Sequence, residues 1–143
     1  MFKNEKLLIS NENNFYLKQL SKIDVTQSYI NWLNDYEVVK FTEQRHLKHS
    51  NDSVCQFVEQ KKSSKENYLF GIYYDKKHIG NVKLGPISFS NKRSEISYII
   101  GEKKYWGRGL ATQTINFLSQ IAKDKLNIVK LLAGTYDCNL ASI

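Results

Sequence analysis

The chain has 143 residues, with 21 Lys and Arg against 14 Asp and Glu, a formal net charge of +7, and 41% hydrophobic residues. This length is typical of one domain, and this hydrophobic content supports a core and excludes a wholly disordered chain. No apolar run approaches the roughly 20 residues of a transmembrane helix, and the N-terminus has no secretory-signal pattern. We therefore expect a single soluble domain over residues 1–143, located in the cytoplasm.

The two cysteines, Cys55 and Cys138, allow at most one disulfide. Without a secretory signal we expect both thiols to be free, because the cytoplasm keeps thiols reduced. The excess of Lys is compatible with acidic partners, although net charge alone indicates solubility more than a specific ligand. A nucleic-acid-binding protein would interleave aromatic residues with Lys and Arg on an exposed strand, whereas the aromatic residues here have core spacing. We therefore expect no nucleic-acid or membrane partner.

The N-terminal half predicts one strand followed by two helices. The strand contains residues 15–17 (Phe-Tyr-Leu). Asp24, with Gln27 three residues later, has the pattern of a helix N-cap, and Ser53 with Gln56 repeats it at the second helix. The apolar faces of the two helices are formed by Val25, Tyr29, Trp32 and Leu33 and by Val54, Phe57 and Val58.

The C-terminal half predicts β-strands and one further helix. Residues 68–74, 78–87 and 95–100 have strand character and are separated by turns, which indicates an antiparallel meander. The apolar face of the helix that follows consists of Ala111, Ile115, Leu118 and Ala122. Residues 129–136 predict a last strand, parallel to the one before the helix because a crossover joins them. The predicted fold class is α/β (α+β), with a mixed, mostly antiparallel sheet flanked by helices.

The loop before this helix is the segment that indicates chemistry. Gly107 and Gly109 have no side chain to keep a phosphate from the main chain, and Lys104 and Arg108 add positive charge. The helix that follows presents unpaired N–H groups and the positive end of its dipole. The segment therefore predicts a phosphate-binding cradle made from main chain.

Three kinds of phosphate loop contain glycines of this sort. A dinucleotide-binding turn needs a third glycine where Thr112 stands, and a P-loop needs G-x-x-x-x-G-K-[ST], which residues 101–109 do not contain. The third kind is the coenzyme A pyrophosphate loop, R/Q-x-x-G-x-G/A. Residues 104–109 (KYWGRG) match it, with Lys104 in place of the usual first residue.

With these residues the sequence resembles the GNAT superfamily of acyl-CoA N-acyltransferases, in particular the branch of ribosomal-protein alanine and spermidine N-acetyltransferases. The resemblance rests on Gly80, Val82, the segment 92–96 (KRSEI), the loop 105–112 (YWGRGLAT), and Asn139 with residues 141–143, which match an N-x-A-S-I helix start. It covers nearly the whole chain and implies the GNAT fold. Family members continue with a helix and two strands, so we expect a domain that ends after its fifth predicted strand. The open sheet edge favours a homodimer or a swapped oligomer.

The resemblance implies acetyl-CoA as the co-substrate and no metal. The pantetheine arm is expected to pair with main chain of the strand 95–100, and the pyrophosphate to bind the amides of residues 106–112. The implied cofactor-binding residues are Tyr98, Ile99, Ile100, Lys104, Trp106, Gly107, Arg108, Gly109, Leu110, Ala111, Thr112 and Asn139. His46 and His49 have a spacing that metal ligands can have, but no further ligand completes a site.

The resemblance also implies a direct attack of an amine on the thioester. The amine must first lose a proton, and Glu95 is the candidate base because family members have an acidic residue at this position. The thiolate usually takes its proton from a Tyr on a helix that would follow Ile143, and Tyr136 is a poor substitute. The candidate substrate contacts, from the segment expected to cover the acceptor, are Tyr36, Phe41, Glu43 and Arg45.

The sequence therefore predicts an acetyl-CoA-dependent N-acetyltransferase. Its acceptor is expected to be the primary amine of a small molecule such as a nucleotide-linked amino sugar. This choice follows from residues 32–41 (WLNDYEVVKF), which resemble family members associated with surface-glycan synthesis. A protein N-terminal acetyltransferase and a non-catalytic CoA-binding module are the alternatives.

Overall fold

The computed structural model describes residues 2–40, 42 and 47–133 of the chain. Within these residues, six strands form one sheet in the order of the chain: Lys6–Ser10 (β1), Phe15–Gln19 (β2), Tyr68–Tyr74 (β3), Lys77–Ser88 (β4), Arg93–Ile100 (β5) and Lys130–Ala133 (β6). The α-helices are Gln27–Asn34 (α1), Tyr36–Val39 (α2), Asn51–Ser63 (α3) and Leu110–Leu126 (α4). Neighbouring strands are antiparallel except β5 and β6, which are parallel. The predicted meander and the parallel crossover are therefore confirmed.

The strand β1 was not predicted from the sequence. It pairs with β2, and its register shifts between Leu8 and Ser10. Five residues with such an irregularity give too short an alternation of apolar and polar residues to indicate a strand. The sheet therefore has one strand more at its N-terminal edge than the sequence indicated.

The predicted N-cap of the first helix was wrong. Helix α1 begins at Gln27, and the hydroxyl of Thr26 accepts a hydrogen bond from the Tyr29 amide at 3.2 Å. Asp24 instead ends a short 3-10 turn, where its carboxylate accepts from the Ser21 amide at 2.9 Å. Both residue types are good N-caps, so the short capping pattern alone could not choose between them.

The second predicted N-cap was wrong as well. Helix α3 begins one residue after Ser50, whose hydroxyl accepts from the Ser53 amide at 3.2 Å, and the Ser53 hydroxyl accepts from the Ser50 amide at 2.9 Å. Ser53 is therefore the third residue of the helix and completes a reciprocal capping box. The predicted pairing of Ser53 with Gln56 placed the helix start three residues too late.

The sheet separates two apolar clusters. One lies between the sheet and α4, where Leu118 and Ala122 are fully buried and Ile115 packs against the cluster, so the predicted face of this helix is confirmed. The other lies on the opposite face, where α1 and α3 cover the strands. Its buried residues on these two helices are Tyr29, Ile30, Trp32, Leu33, Val54 and Val58, and α2 adds Val39. The two faces therefore offer two separate surroundings for ligands.

The thiol of Cys55, on α3, is free, as expected. Cys138 lies outside the described residues, so its predicted free thiol stays a prediction. Across the described part of the chain, no helix is long and apolar enough to cross a membrane.

Candidate active site

The predicted cradle lies where the loop after β5 enters α4. Gly107 and Gly109 have φ angles of +73° and +75°, a conformation that L side chains rarely adopt. A Cβ atom at either position would have no neighbour within 4 Å, so the space in front of the loop is open. Gly109 is the N-cap of α4 and provides no capping side chain. The amides of Leu110 and Ala111, in the first helical turn, have no intrahelical acceptor and fit a pyrophosphate.

Aromatic rings hold the basic side chains of this loop. The Arg108 guanidinium lies 5.4 Å from the Tyr74 ring centroid and 5.1 Å from that of Tyr105. The ammonium of Lys104 lies 5.2 Å from the Tyr105 ring centroid. The Trp106 indole N–H donates to the carbonyl of Ile100 at 2.6 Å, which ties the loop to the end of β5. These contacts order the loop while the side chains of Lys104 and Arg108 remain exposed.

A cavity lies on the opposite face of the sheet, between the helices α1 and α3 and the strands β4 and β5. Its volume is about 650 Å³. The residues of its wall that bear on chemistry are Tyr29, Asn81, Lys83, Glu95, Ser97 and Ile99. Three of its β5 residues, Ser97, Tyr98 and Ile99, follow Ile96, whose partner Ala133 ends the described pairing of β5 with β6. The same strand therefore connects the cavity to the cradle.

The predicted base, Glu95, is exposed and lies in the wall of this cavity. The ion pairs between described residues join Lys18 to Asp24, Lys77 to Glu102 and Lys103 to Asp35, and none involves Glu95. Among the described residues that line the cavity, Glu95 is the only carboxylate. The fold therefore places at the cavity a carboxylate that forms no ion pair with any described residue.

The remaining predicted cofactor-binding and substrate-binding residues lie on β5, on α4 and on the segment after α1, or outside the described residues. Tyr98, Ile99 and Ile100 lie on β5, and Leu110, Ala111 and Thr112 form the first turn of α4. Tyr36, a predicted substrate contact, is exposed and lines a neighbouring recess of about 390 Å³. The predicted contacts Phe41, Glu43, Arg45 and Asn139 lie outside the described residues, as do His46 and Tyr136. In the ranges that are described, no three His, Cys, Asp or Glu side chains are placed to hold a metal ion.

A polar pair that the sequence analysis missed, His78 and Asn81, lies beside the cavity. The Nε2 atom of His78 is 2.7 Å from Oδ1 of Asn81. The imidazole packs among the rings of Tyr29, Trp32 and Tyr73, with centroid distances of 5.6, 4.9 and 5.0 Å. Burial lowers the pKa of His78, and burial raises the pKa of Tyr29. Both side chains are therefore neutral at physiological pH.

A register shift explains why His78 was missed. Strict alternation puts His78 on the same face as Gly80 and Val82, which is the face toward α4. The register of β3 and β4 instead shifts between Ile72 and Tyr73, so that His78 pairs with Tyr73. This bulge turns His78 to the same face as Asn81. A bulge has no reliable signature in a single sequence.

A second contact joins α1 to the loop after β5. The Trp32 indole N–H donates to Glu102 at 2.8 Å, and Lys77 pairs with the other carboxylate oxygen at 3.0 Å. Burial opposes ionisation of Glu102, but these two partners and the charge of Lys104 outweigh it and lower the pKa of Glu102. A Cβ atom on Gly101 would overlap the Trp32 ring. Glycine is therefore required where the indole contacts this loop.

The chain matches the family model described as an acetyltransferase (GNAT) domain over residues 14–143. It belongs to the GNAT acetyltransferase domain family, so the fold expected from the sequence is confirmed and the chain is an acetyltransferase domain. No curated protein sequence matches the chain.

Several solved acetyltransferase structures have the same fold. RimL, a ribosomal alpha-N-protein acetyltransferase in complex with coenzyme A, is 13% identical with a TM-score of 0.77, over 90% of this chain and 73% of that one. The spermidine N-acetyltransferase from Vibrio cholerae, in complex with CoA and spermine, is 22% identical with a TM-score of 0.72. The match covers 86% of this chain and 71% of that one. The microcin self-immunity acetyltransferase MccE, in complex with acetyl-CoA and AMP, is 20% identical with a TM-score of 0.72. The match covers 87% of this chain and 70% of that one. At these identities the similarity establishes the fold.

The lowered pKa of His78 predicts a specific loss of stability in mild acid. The unfolded chain takes up a proton near the ordinary histidine value of about 6.5, whereas the folded chain keeps His78 neutral to lower pH. The unfolding free energy should therefore fall by up to about 1.4 kcal/mol per pH unit below that value. Urea unfolding at pH 7.5 and 5.5 measures this. His78→Gln should remove most of the difference and His49→Gln should keep it; an unchanged difference in His78→Gln contradicts the prediction.

Proposed function

We propose that this domain transfers the acetyl group of acetyl-CoA to the primary amine of a small molecule, such as a nucleotide-linked amino sugar. The observation that carries the proposal is the position of β5. Its C-terminal end leads into the cradle, and its residues Ser97 and Ile99 line the cavity. A phosphate-bearing thioester bound along this strand would have its pyrophosphate at one end and its acetyl group at the other.

The cradle supports the placement of the pyrophosphate. Two glycines with positive φ leave the space in front of the loop open, and the helix amides that follow Gly109 have no intrahelical acceptor. Positive charge from Lys104 and Arg108 adds to the partial charge of the helix start. From there the pantetheine arm would run back along the main chain of residues 97–100. Trp106, bonded to the Ile100 carbonyl, fixes the corner between the two segments.

The cavity supports the placement of the acceptor amine. Acetyl-CoA supplies an acyl carbon activated by its thioester. The amine nitrogen forms a bond to this carbon, the C–S bond breaks, and the sulfur leaves as a thiolate that takes up a proton. Glu95 takes the proton that the amine must lose, directly or through a water molecule. Its exposure lets the proton pass on to solvent.

The charges of the cavity wall support an acceptor that carries negative groups. Lys48 and Lys83 both line the cavity, and Glu95 lies among them. A diphosphate attached to an amino sugar would interact favourably with two ammonium groups. A polyamine such as spermidine would place its own positive charges against them. The wall therefore favours a nucleotide amino sugar over a polyamine.

The cradle is tested by the variant Gly107→Asn. Asparagine tolerates positive φ better than other residues with side chains, so the fold should survive while the added side chain fills the open space. We expect CoA affinity, measured by calorimetry, to fall at least about tenfold, the effect of losing roughly 1.4 kcal/mol of interaction. Turnover of acetyl-pantetheine, which has no pyrophosphate, should stay unchanged. Unchanged CoA affinity in a folded variant would contradict the placement of the cradle.

The role of Glu95 is tested by Glu95→Gln, which keeps the size and removes the charge. General-base catalysis typically contributes about 10²- to 10⁴-fold, so kcat should fall by this order while the Kd for CoA stays constant. Glu66→Gln, at an exposed carboxylate outside the cavity, is the matched control and should retain wild-type rates. A Glu95→Gln variant as active as wild type at every pH would show that this carboxylate is not the base.

The acceptor class is tested by thiol release from acetyl-CoA with a panel of amines. We expect kcat/KM to be highest for nucleotide-linked amino sugars and lower for spermidine and for N-terminal peptides. Lys48→Gln and Lys83→Gln should raise KM for the phosphate-bearing acceptor but not for a neutral amino sugar, and Lys65→Gln, at an exposed position, should change neither. Preference for a peptide would favour an N-terminal acetyltransferase. CoA binding with no turnover of any amine would favour a binding module.

A further inference from the structure

The side chain of Asn81 has a fixed orientation in the cavity wall. Its Oδ1 atom lies 2.7 Å from Nε2 of His78. The other ring nitrogen, Nδ1, is buried and has no hydrogen-bond partner among the described residues. A neutral imidazole carries one N–H, and placing it on Nε2 gives the Asn81 carbonyl a donor. The alternative tautomer would set two lone pairs against each other and bury an unpaired N–H.

This orientation leaves the amide NH2 of Asn81 on the far side from His78. Each NH2 group has two hydrogens. The Asn81 side chain lies close enough to the Tyr29 hydroxyl to oppose the rise that burial causes in the pKa of Tyr29. Both residues line the cavity, and Asn81 is buried, so its amide NH2 borders the cavity from a position with little contact with water. A fixed donor in such surroundings is a suitable partner for developing negative charge.

The strand register places this donor beside the position proposed for the acetyl group. Asn81 on β4 is the cross-strand partner of Ile99 on β5. Ile99 packs against the apolar cluster that contains Tyr29 and also lines the cavity. An acetyl group at the end of a pantetheine arm along residues 97–100 would therefore lie within reach of Asn81.

We infer that the Nδ2–H of Asn81 donates a hydrogen bond to the thioester carbonyl oxygen of the acetyl donor, and that His78 is the positioning residue that fixes the Asn81 amide. The inference rests on the proposed function, because it adds a second group that acts on the same donor. As the amine nitrogen bonds to the carbonyl carbon, negative charge develops on the oxygen and Asn81 stabilises it. The electron pair on the oxygen re-forms the carbonyl bond as the C–S bond breaks, and the negative charge leaves on the thiolate sulfur, so Asn81 itself neither gains nor loses a proton.

The groups that face His78 are compatible with this role. Asp24 and Lys18 are the charged residues that influence it, with opposite effects on its pKa. They form an ion pair with each other at 3.0 Å. The other groups that face the ring are the Asn81 side chain, the Gly80 main chain and the aromatic rings of Tyr29, Trp32 and Tyr73. Burial keeps the imidazole neutral, and the ion pair, which has no net charge, leaves this unchanged.

The first test uses variants of Asn81. Asn81→Leu has nearly the same shape without donors, and Asn81→Asp replaces the donors by oxygen. Loss of one such donor typically lowers kcat by about 10²- to 10³-fold. We expect this loss in both variants, with the Kd for CoA unchanged because CoA has no acetyl carbonyl. Asn116→Leu makes the same change on the exposed face of α4 and should have wild-type kinetics. Wild-type kcat in a folded Asn81→Leu variant would overturn the inference.

The second test measures the stretching frequency of the thioester carbonyl and does not depend on the folding of any Asn81 variant. Infrared difference spectra of acetyl-CoA labelled with ¹³C at the carbonyl should show a stretch at lower wavenumber when bound to the wild-type domain than in water. His78→Gln, which keeps an N–H donor toward Asn81, should retain this shift, and His78→Leu should lose it together with kcat. An unshifted carbonyl in an active wild-type domain overturns the inference alone. A wild-type domain that binds no acetyl-CoA overturns the proposed function and this inference with it.

Discussion

The contact between Trp32 and Gly101 is the constraint on which the two halves of the site depend. The indole covers the position where any other residue would carry a Cβ atom, and its N–H bonds to Glu102 in the same loop. Lys103 adds an ion pair to Asp35 at the end of α1. Helix α1 forms one wall of the cavity, and the loop leads to the cradle. The spacing between the cavity and the cradle, the proposed acceptor and cofactor sites, is therefore fixed by one aromatic side chain.

The cradle and the cavity differ in the charge and exposure of the groups that face a ligand. At the cradle, exposed cations and main-chain amides face open space, which suits a ligand that keeps much of its hydration. At the cavity, the two titratable groups beside Asn81, His78 and Tyr29, are neutral and buried, because burial lowers the pKa of His78 and raises that of Tyr29. A neutral hydrogen-bond donor in a site of low dielectric stabilises charge that develops during the reaction more than charge present beforehand. Binding and chemistry are therefore assigned to different faces of the sheet.

The sequence predicted the parts of the fold that depend on regular periodicity or on glycine. The meander over residues 68–100, the apolar face of α4 and the open loop at Gly107 and Gly109 all correspond to the structure. The errors have local causes. Thr26 and Ser50 cap the helices because tertiary contacts choose among several capable residues nearby, and His78 faces the cavity because a register shift reverses the alternation. The polar pair with Asn81 depends on that shift, so no pattern of spacing could have indicated it.

The positions of Glu95 and Asn81 explain how one strand pair can serve two opposite demands. In the proposed mechanism Glu95 accepts a proton and releases it, and its exposure at the start of β5 gives it contact with solvent. In the role proposed for Asn81 the donor has to stay in place, and its burial beside His78 restricts rotation of the amide. Their positions follow from the antiparallel register, in which Ile99 faces Asn81 while Glu95 lies four residues earlier on β5. A bound acetyl group would then have an exposed proton acceptor, Glu95, on its solvent side and a fixed hydrogen-bond donor, Asn81, on its core side.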